Sequence, residues 1–257
     1  MTWRPAATGM VTTVAQRAGE LALLTGRALR ALLSPPYEVG RWIREAEQIG
    51  VRSLGVAAVT TIFTGMVLAL QTAYSLPTLG IKYYIGTVVS KSLVRELGPV
   101  LTALIVGGRI GAGMTAEIGT MNVSEQIDAL RSMAADPIKK LVAPKLMATL
   151  VMLPALTVLG DAFGIFGGLL IAVLQLDITA GFYFNDVLDA VTIDDLTSGI
   201  GKSFFFAYFI TIIGCYNGLT ARGGADGVGR ATTNTVVLAS IMVLVSDFFL
   251  TKLFYLF

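Results

Sequence analysis

Five long apolar stretches alternate with shorter polar segments along this chain of 257 residues. Each stretch holds about 20 or more mostly apolar residues, the length that an α-helix needs to cross the hydrocarbon core of a bilayer. The predicted spans cover about residues 54–74, 84–110, 146–174, 199–220 and 235–257. The pattern therefore predicts an all-α polytopic membrane protein, folded as a single domain over residues 1–257.

The residues before the first span have an amphipathic pattern. Between residues 15 and 33, apolar and charged side chains fall on opposite faces of a helix. The apolar face carries Leu21, Leu24, Ala28 and Leu32, and the opposite face carries Glu20, Arg27 and Arg30. We expect this helix to lie in the membrane interface and to end at Pro35 and Pro36, so that residues 1–50 form an interfacial or cytoplasmic segment. A plain cytoplasmic helix is the alternative.

Two polar segments are predicted to connect spans, and a set of glycines predicts a close contact between two of them. Residues 175–198 are predicted to be a polar loop, which contains Asp177, Asp186, Asp189, Asp194 and Asp195. Residues 221–234 are predicted to be a short loop between the fourth and fifth spans. In the third span, Gly160, Gly164 and Gly168 lie four residues apart, a spacing that lets neighbouring helices approach closely.

Basic residues are concentrated on one side of the predicted spans. They precede the first span, follow the second and separate the fourth from the fifth: Arg17, Arg27, Arg30, Arg41, Arg44 and Arg52, then Arg131, Lys139, Lys140 and Lys145, then Arg222 and Arg230. The opposite side has little beyond Lys82, and its larger loop is acidic. Because cytoplasmic loops carry an excess of Lys and Arg, the N-terminus and residues 113–145 and 222–230 are predicted to be cytoplasmic. Five spans then place the C-terminus on the periplasmic side.

Composition excludes several classes of chemistry. Charged residues make up only 14% of the chain, against about 25% in average soluble domains. The chain has no histidine, which excludes Ser–His and Cys–His catalysis and any His-ligated metal or haem site. The one cysteine, Cys215, lies in an apolar run and is expected to be a small buried side chain.

The glycine-rich segments do not fit a nucleotide site. A P-loop needs G-x-x-x-x-G-K-[ST] between a strand and a helix. Residues 224–231 read GADGVGRA, so Arg230 and Ala231 stand where Lys and Ser or Thr are needed. Before Lys202, the first glycine of the motif is replaced by Leu196. We therefore expect no cofactor in this chain, and we expect no nucleic-acid partner.

Among the charged residues inside the predicted spans, we single out Lys91, Arg95, Glu96, Asp161, Lys202 and Asp247. A charge near the centre of a membrane helix costs about 2.5–3.5 kcal/mol on insertion scales. These side chains should therefore face the protein interior or a wet cavity, and they should pair. Their positions alone do not separate ion pairs that hold the bundle together from a network that gates transport.

The segment after the second span, residues 115–136, is charged and patterned. It follows a cluster of glycines at Gly107, Gly108, Gly111 and Gly113. It is much longer than an ordinary linker of about two to six residues. Its apolar residues recur at roughly helical spacing, and a helix of this kind outside lipid is expected to dock in a groove of a partner. A surface helix packed on its own protein is the alternative.

These residues carry a family resemblance. Residues 95–121, RELGPVLTALIVGGRIGAGMTAEIGTM, followed by EQIDAL and MAADP, resemble the MlaE family of ABC-transporter permeases. Residues 227–237, GVGRATTNTVV, resemble the second signature of that family. The resemblance implies a permease dimer in the bacterial inner membrane, driven by a pair of cytoplasmic ATPases that bind ATP and Mg²⁺. It also implies transport of phospholipid-like molecules between that membrane and a ring of MCE-domain proteins in the periplasm.

The resemblance further implies roles for particular residues. Residues 117–130 match the coupling helix of the family, and the residues expected to contact the ATPase are Glu117, Ile118, Met121, Glu125, Asp128, Leu130 and Arg131. The buried glutamate of the family falls on Glu96, with Lys202 and Asp247 as candidates for the same polar network. The lipid pocket is expected to include Leu68, Gln71, Tyr74, Leu76, Glu96 and Leu97.

Other functions fit part of the pattern. Within the family, the substrate could be a sterol or another hydrophobic molecule instead of a phospholipid. An ion- or proton-coupled channel or carrier would use the carboxylates Glu96, Asp161 and Asp247 and would need no ATPase. An intramembrane enzyme is disfavoured, because the chain lacks both histidine and a paired-aspartate motif. Co-purification of a nucleotide-binding subunit would separate a permease from a channel or carrier.

Overall fold

A computed structural model of the chain describes residues 6–35, 39–75, 84–254 and 256, and within these residues it contains helices and no strands. The helices are α1 Ala6–Leu33, α2 Val39–Ser75, α3 Ile85–Ser92, α4 Gly98–Val123, α5 Gln126–Ser132, α6 Ala143–Gln175, α7 Ala180–Ala190, α8 Ile193–Thr220 and α9 Gly224–Phe254. Two π-helical turns, Leu93–Leu97 and Ile138–Val142, join α3 to α4 and lead into α6. The prediction of an all-α protein is confirmed. Leu76, Lys82 and Phe257 lie outside the described residues.

Five helical runs in the described part of the chain are long and apolar enough to cross a membrane, namely 39–75, 85–123, 138–175, 193–220 and 224–254. They confirm the five predicted spans. The runs alternate in direction, with α5 at one end of the bundle and α7 at the other. We call these the α5 end and the α7 end.

Most helical runs extend further than the apolar stretches that predicted them. Helix α2 begins at Val39, before the predicted first span, α4 continues past Ile110 to Val123, and α9 begins at Gly224 in the predicted loop. The loop predicted at residues 221–234 is therefore wrong beyond its first three residues. Hydropathy detects only the part of a helix that lipid would surround, whereas the backbone hydrogen bonding continues into the polar residues beyond it.

The acidic segment 175–198 is not a loop, contrary to the prediction. Helix α7 occupies its centre because Tyr183, Val187 and Ala190, spaced as on one helical face, are buried against the bundle. Asp186 accepts hydrogen bonds from the backbone N–H of Thr87 at 2.8 Å and from its hydroxyl at 2.5 Å. Burial, together with the nearby Asp186 carboxylate, raises the pKa of Tyr183. The helix is thus fixed to the start of α3.

Helix α8 begins six residues before the predicted fourth span because of a capping box. The Thr192 hydroxyl accepts a hydrogen bond from the backbone N–H of Asp195, and the Asp195 carboxylate accepts one from the N–H of Thr192. These reciprocal bonds satisfy N–H groups that the first turn of a helix leaves without partners.

Glycines bring α2 and α6 into close contact. A Cβ atom added at Gly65 would overlap the backbone of Gly164, and one added at Gly167 would overlap the backbone of Ile62. Gly160, Gly164 and Gly168 all face packed neighbours, as their spacing predicted. At Gly65, Gly164 and Gly167 the contact leaves no room for a side chain between α2 and α6, while Gly168 packs against Val89 of α3 and Tyr183 of α7.

Helix α1 packs its apolar face against the bundle. Leu24 and Ala28 are buried, and Leu21 and Leu32 are partly buried against the same apolar cluster. The Thr25 hydroxyl shares a hydrogen bond of 2.8 Å with the hydroxyl of Tyr208 on α8. The predicted amphipathic faces are confirmed. The apolar face of α1 contacts the bundle, and the prediction that α1 lies in the membrane interface stays a prediction.

The α2–α6 contact gives a prediction on stability. Replacement Gly65→Ala should lower the midpoint of thermal unfolding in detergent, because the new methyl group would force the two backbones apart. Gly55 lies on the same helix with open space around it, so Gly55→Ala is the matched control. It should leave the midpoint unchanged or raise it, since alanine favours a helix over glycine by about 1 kcal/mol. Equal midpoints for the two variants would contradict the close packing.

Candidate functional site

Lys202 of α8 is the centre of a charged cluster inside the bundle. Its side chain has 0% exposure, and its Nζ lies 2.7 Å from Oε2 of Glu96 and 3.2 Å from Oδ1 of Asp247. The Asp247 distance is that of an ion pair, but the geometry is not that of a hydrogen bond, and this oxygen has no hydrogen-bond partner among the described residues. The predicted association of these three residues is therefore present in the structure. It joins the π-helical turn 93–97 to α8 and α9.

Two further acceptors complete the surroundings of Lys202. Its Nζ donates a hydrogen bond to the hydroxyl of Thr251 at 2.7 Å and to the backbone carbonyl of Arg95 at 3.2 Å. The Thr251 hydroxyl in turn donates to Oε1 of Glu96 at 3.1 Å. Thr251 was missed by sequence reasoning, although it follows Asp247 by four residues on α9 and so shares its helical face.

The π-helical turn 93–97 has a cause in the sequence. Pro99 has no N–H group, so it cannot donate the α-helical hydrogen bond to the carbonyl of Arg95 four residues earlier. A buried carbonyl without a donor is costly, and Lys202 supplies the missing donor. The turn thereby places the Arg95 carbonyl and the Glu96 carboxylate on the same lysine.

Three of the charges predicted for this network lie apart from Lys202. The Arg95 guanidinium pairs with Asp195 at 3.3 Å, near the start of α8. Lys91 is exposed, one helical turn before Arg95. Asp161 is buried on α6 against Gly98, and its Oδ1 has no hydrogen-bond partner among the described residues. The prediction of one network of six residues is wrong for Lys91 and Asp161, because their helical faces point elsewhere, and Arg95 joins Lys202 only through its backbone.

The exposure of the network is uneven. Lys202 is enclosed, whereas the Glu96 side chain is 36% exposed and the Asp247 side chain 20% exposed. The carboxylates of Glu96 and Asp247 thus form a partly exposed edge of the cluster, whereas the lysine between them is enclosed. We call this the open carboxylate edge. Since Glu96 lies eleven residues after Ile85, this edge is about 16 Å from the start of α3, inside the half of the bundle nearer the α7 end.

The residues predicted for a lipid pocket lie around this half of the bundle. Leu68 and Leu97 are half-buried and pack against one shared apolar cluster near the α7 end. Gln71 and Tyr74 are exposed on the last turns of α2, and Leu76 lies outside the described residues. The structure therefore brings Leu68 and Leu97 to one cluster, with Glu96 directly before Leu97. It shows no described contact between this group and Gln71 or Tyr74.

The region predicted to be a coupling helix consists of two helices. The end of α4 and the short helix α5 are separated at Ser124 and Glu125, where Glu125 has a left-handed backbone with φ of 59°. One continuous helix over residues 115–136 is therefore wrong, because this residue turns the chain direction. The exposed charged residues of the region are Glu117, Glu125, Asp128, Arg131 and Asp136, with Asp128 and Arg131 paired at 2.9 Å.

The apolar side of that region packs on the protein itself. Ile118 is fully buried against Gly218 of α8, and Met121 and Leu130 are partly buried against the main apolar cluster. Ile118 is therefore not accessible to a partner, contrary to its predicted role. The apolar side of the segment packs on its own protein. Its exposed charged side chains remain accessible to a partner protein.

A second buried lysine was not predicted as a site. Lys145 at the start of α6 has 1% exposure, and its Nζ donates to Glu45 of α2 at 2.8 Å and to Glu117 of α4 at 2.7 Å. Sequence reasoning treated Lys145 only as a basic loop residue and Glu117 only as a partner contact. The three residues are far apart in the chain, and only the crossing of α2, α4 and α6 at the α5 end brings them together.

Known proteins resemble this chain over most of its length. The family model described as "Permease MlaE" matches residues 42–253. A probable ABC transporter permease protein of Rickettsia prowazekii is 43% identical over 241 residues, which are 94% of this chain and 93% of that protein. The intermembrane phospholipid transport system permease protein MlaE of Haemophilus influenzae is 38% identical over 214 residues, which are 83% of this chain and 82% of that protein. The chloroplastic protein TRIGALACTOSYLDIACYLGLYCEROL 1 of Arabidopsis thaliana is 35% identical over 237 residues, which are 91% of this chain and 67% of that protein.

The Lys202 cluster gives a prediction on stability. Replacement Lys202→Met leaves the two carboxylates facing each other without a cation, and breaking a buried ion pair in this way costs about 3–5 kcal/mol. The midpoint of thermal unfolding in detergent should fall strongly. Adding Glu96→Gln and Asp247→Asn to this variant should restore most of the loss, because no charge then remains unpaired.

The matched control is Lys252→Met on α9, where the lysine is exposed. It should leave the midpoint nearly unchanged. If Lys202→Met unfolded at the same temperature as Lys252→Met, the ion pairs would contribute no stability.

Proposed function

The chain belongs to the MlaE family of ABC-transporter permeases, and we propose that it moves phospholipids between the bacterial inner membrane and an MCE-domain protein in the periplasm. The observation that carries this proposal is the open carboxylate edge of Glu96 beside Leu97, held by the enclosed Lys202. A lipid site needs an apolar wall for acyl chains and a few polar groups for the headgroup. Both occur here within consecutive residues, and the relative from Haemophilus influenzae is named for phospholipid transport.

In the proposed mechanism, the permease works as a homodimer with its α5 end in the cytoplasm and its C-terminus in the periplasm. A separate pair of ATPase chains binds ATP and Mg²⁺ and contacts the exposed charges around α5. Closure of the ATPases moves the ends of the two α4 helices and reshapes a lipid pocket shared between the two copies. Gln71, Tyr74 and Leu76 extend this pocket. The permease itself makes and breaks no covalent bond.

The basic side chains support this orientation. Arg41, Arg44, Arg52, Arg131, Lys139, Lys140 and Lys145 all belong to the α5 end, and α7 with its aspartates belongs to the other. Lys and Arg are enriched on the cytoplasmic side of membrane proteins. The ATPases would therefore meet the permease at the α5 end and the periplasmic partner at the α7 end.

Replacement of Glu96 tests the proposed lipid site. Glu96→Gln keeps the size of the side chain and its hydrogen bond with Thr251 but removes the charge that pairs with Lys202. We expect the complex to assemble and its reconstituted lipid transfer to slow several-fold. Glu96→Lys should be more severe, because it places two cations side by side in the membrane.

The measurement is lipid transfer between vesicles at matched yield of the assembled complex. Glu47→Gln, an exposed glutamate at the α5 end of α2, is the control and should transfer lipid at the unmodified rate. If both Glu96 variants assembled and transferred lipid at that rate, Glu96 would be no part of the lipid site.

Charge reversal on α5 tests the proposed ATPase contact. Glu125→Lys with Asp128→Lys should weaken co-purification of the ATPase, because both carboxylates are exposed and neither packs in the bundle. Asp194→Lys at the α7 end is the control and should leave the complex intact. The permease should insert and unfold normally in all these variants. Undiminished ATPase association in the double variant would leave α5 as a helix packed only on its own protein.

A further inference from the structure

An open cleft of about 270 Å³ lies at the α5 end of the bundle, between α2, α4 and α6. Its lining includes Arg52 of α2, Arg109 and Gly113 of α4, and the Lys145 cluster with Glu45 and Glu117. The cleft is well removed from the proposed transport site. Arg109 follows Glu96 by thirteen residues of the same helical run, which is about 20 Å.

The charges that line the cleft are not balanced. Lys145 is already paired with both glutamates, so these three residues together carry one negative charge. Arg52 and Arg109 add two positive charges, which leaves the cleft with a net charge of +1. Neither arginine forms an ion pair with a carboxylate in the part of the chain that the structure describes.

Arg109 is held in place without being neutralised. Its Nη1 donates a hydrogen bond of 2.6 Å to the hydroxyl of Ser53, which is fully buried on α2. A guanidinium has five N–H donors in a rigid fork, so most of its donors stay available on the cleft side. This planar fork matches the oxygen atoms of a phosphate better than a lysine does. The buried serine therefore positions a group suited to binding a phosphate.

Both arginines lie at the level where the surface changes from apolar to polar. On α2, the exposed side chains over the four turns after Arg52 are apolar, namely Val56, Val59, Phe63 and Val67. On α4, which runs in the opposite direction, the exposed Ile105 lies one turn before Arg109 on the same side. A change of this kind on neighbouring spans marks the boundary between hydrocarbon and lipid headgroups.

From this charge, geometry and depth, we propose that the cleft binds the phosphate group of an anionic phospholipid from the membrane leaflet at the α5 end. Arg52 and Arg109 contact the phosphate, and the acyl chains lie along the exposed apolar faces of α2 and α4. The lipid bridges the two helices beside Glu117, and so braces the end of α4 that leads into α5. This site depends on the membrane-spanning fold, but it does not depend on the transport site around Glu96.

Gly113 offers a way to close the cleft without disturbing the core. It is exposed on the cleft wall, and a Cβ atom added there would meet nothing within 4 Å. Replacement Gly113→Trp should therefore fill the cleft while the bundle stays folded. Gly181 on α7 has equally open surroundings, so Gly181→Trp is the matched control at the other end of the protein.

The experiment titrates phosphatidylglycerol and phosphatidylcholine into the detergent-solubilised protein and follows bound lipid by native mass spectrometry. We expect tighter binding of phosphatidylglycerol, weakened by added salt. Each change Arg52→Gln or Arg109→Gln should weaken that binding about fivefold, the usual effect of one basic side chain near an anionic lipid surface. Gly113→Trp should abolish it. Arg44→Gln, an exposed arginine of α2 outside the cleft lining, and Gly181→Trp should bind phosphatidylglycerol as the unmodified protein does.

Three results would overturn the proposal. The first is unchanged binding of phosphatidylglycerol in both the arginine variants and Gly113→Trp, with all variants folded by thermal unfolding. The second is displacement of the lipid by glycerol phosphate or inorganic phosphate at similar concentrations, which would make the occupant a soluble anion. The third is loss of the co-purifying ATPase from the arginine variants with lipid binding intact, which would assign the cleft to a side chain of that partner.

Discussion

A buried cation in a membrane must be paired, and this requirement organises the centre of the bundle. Lys202 has no exposed surface, and its charge is met by carboxylates from the second and fifth spans. Leaving such a charge without a partner in lipid costs several kcal/mol, which is more than the insertion of several leucines returns. The π-helical turn at residues 93–97 helps to satisfy the lysine. Pro99 cannot donate to the Arg95 carbonyl, so this carbonyl accepts a hydrogen bond from Lys202. Three spans are thus fixed to one another at one depth.

A second buried lysine repeats the arrangement near the other end. Lys145 lies between Glu45 and Glu117 much as Lys202 lies between Glu96 and Asp247. The helical run 85–123 contributes a carboxylate to each cluster, at Glu96 and at Glu117. A displacement at the α5 end of this run would move the carboxylates that pair with both lysines, because the run is continuous through its π-helical turn. This continuity gives the proposed permease a direct connection between its partner-facing end and its lipid site.

The hydropathy pattern predicted the fold class and the existence of the spans, and the family resemblance implied the association of Glu96, Lys202 and Asp247. Neither could predict Thr251 or the Lys145 cluster, since these depend on which helices cross and at what level. Glu125 shows a different limit, because a left-handed turn at a glutamate has no strong local signal. The five aspartates of segment 175–198 predict a polar loop. The helical spacing of Tyr183, Val187 and Ala190 is the weaker signal there, and it is the one that the structure follows.

The central claim is that a phospholipid occupies a pocket beside Glu96 and leaves it when the ATPase closes. A photoreactive amino acid at Leu97, half-buried beside Glu96, tests this in membranes that contain a labelled phospholipid and the assembled complex. The same probe at Phe166, exposed on α6 away from both proposed lipid sites, reports ordinary contact with bulk lipid. The account predicts that Leu97 crosslinks to phospholipid and that ATP with Mg²⁺ reduces this crosslink while the Phe166 crosslink stays constant. No crosslink at Leu97, or one that follows the Phe166 crosslink under every condition, would contradict it.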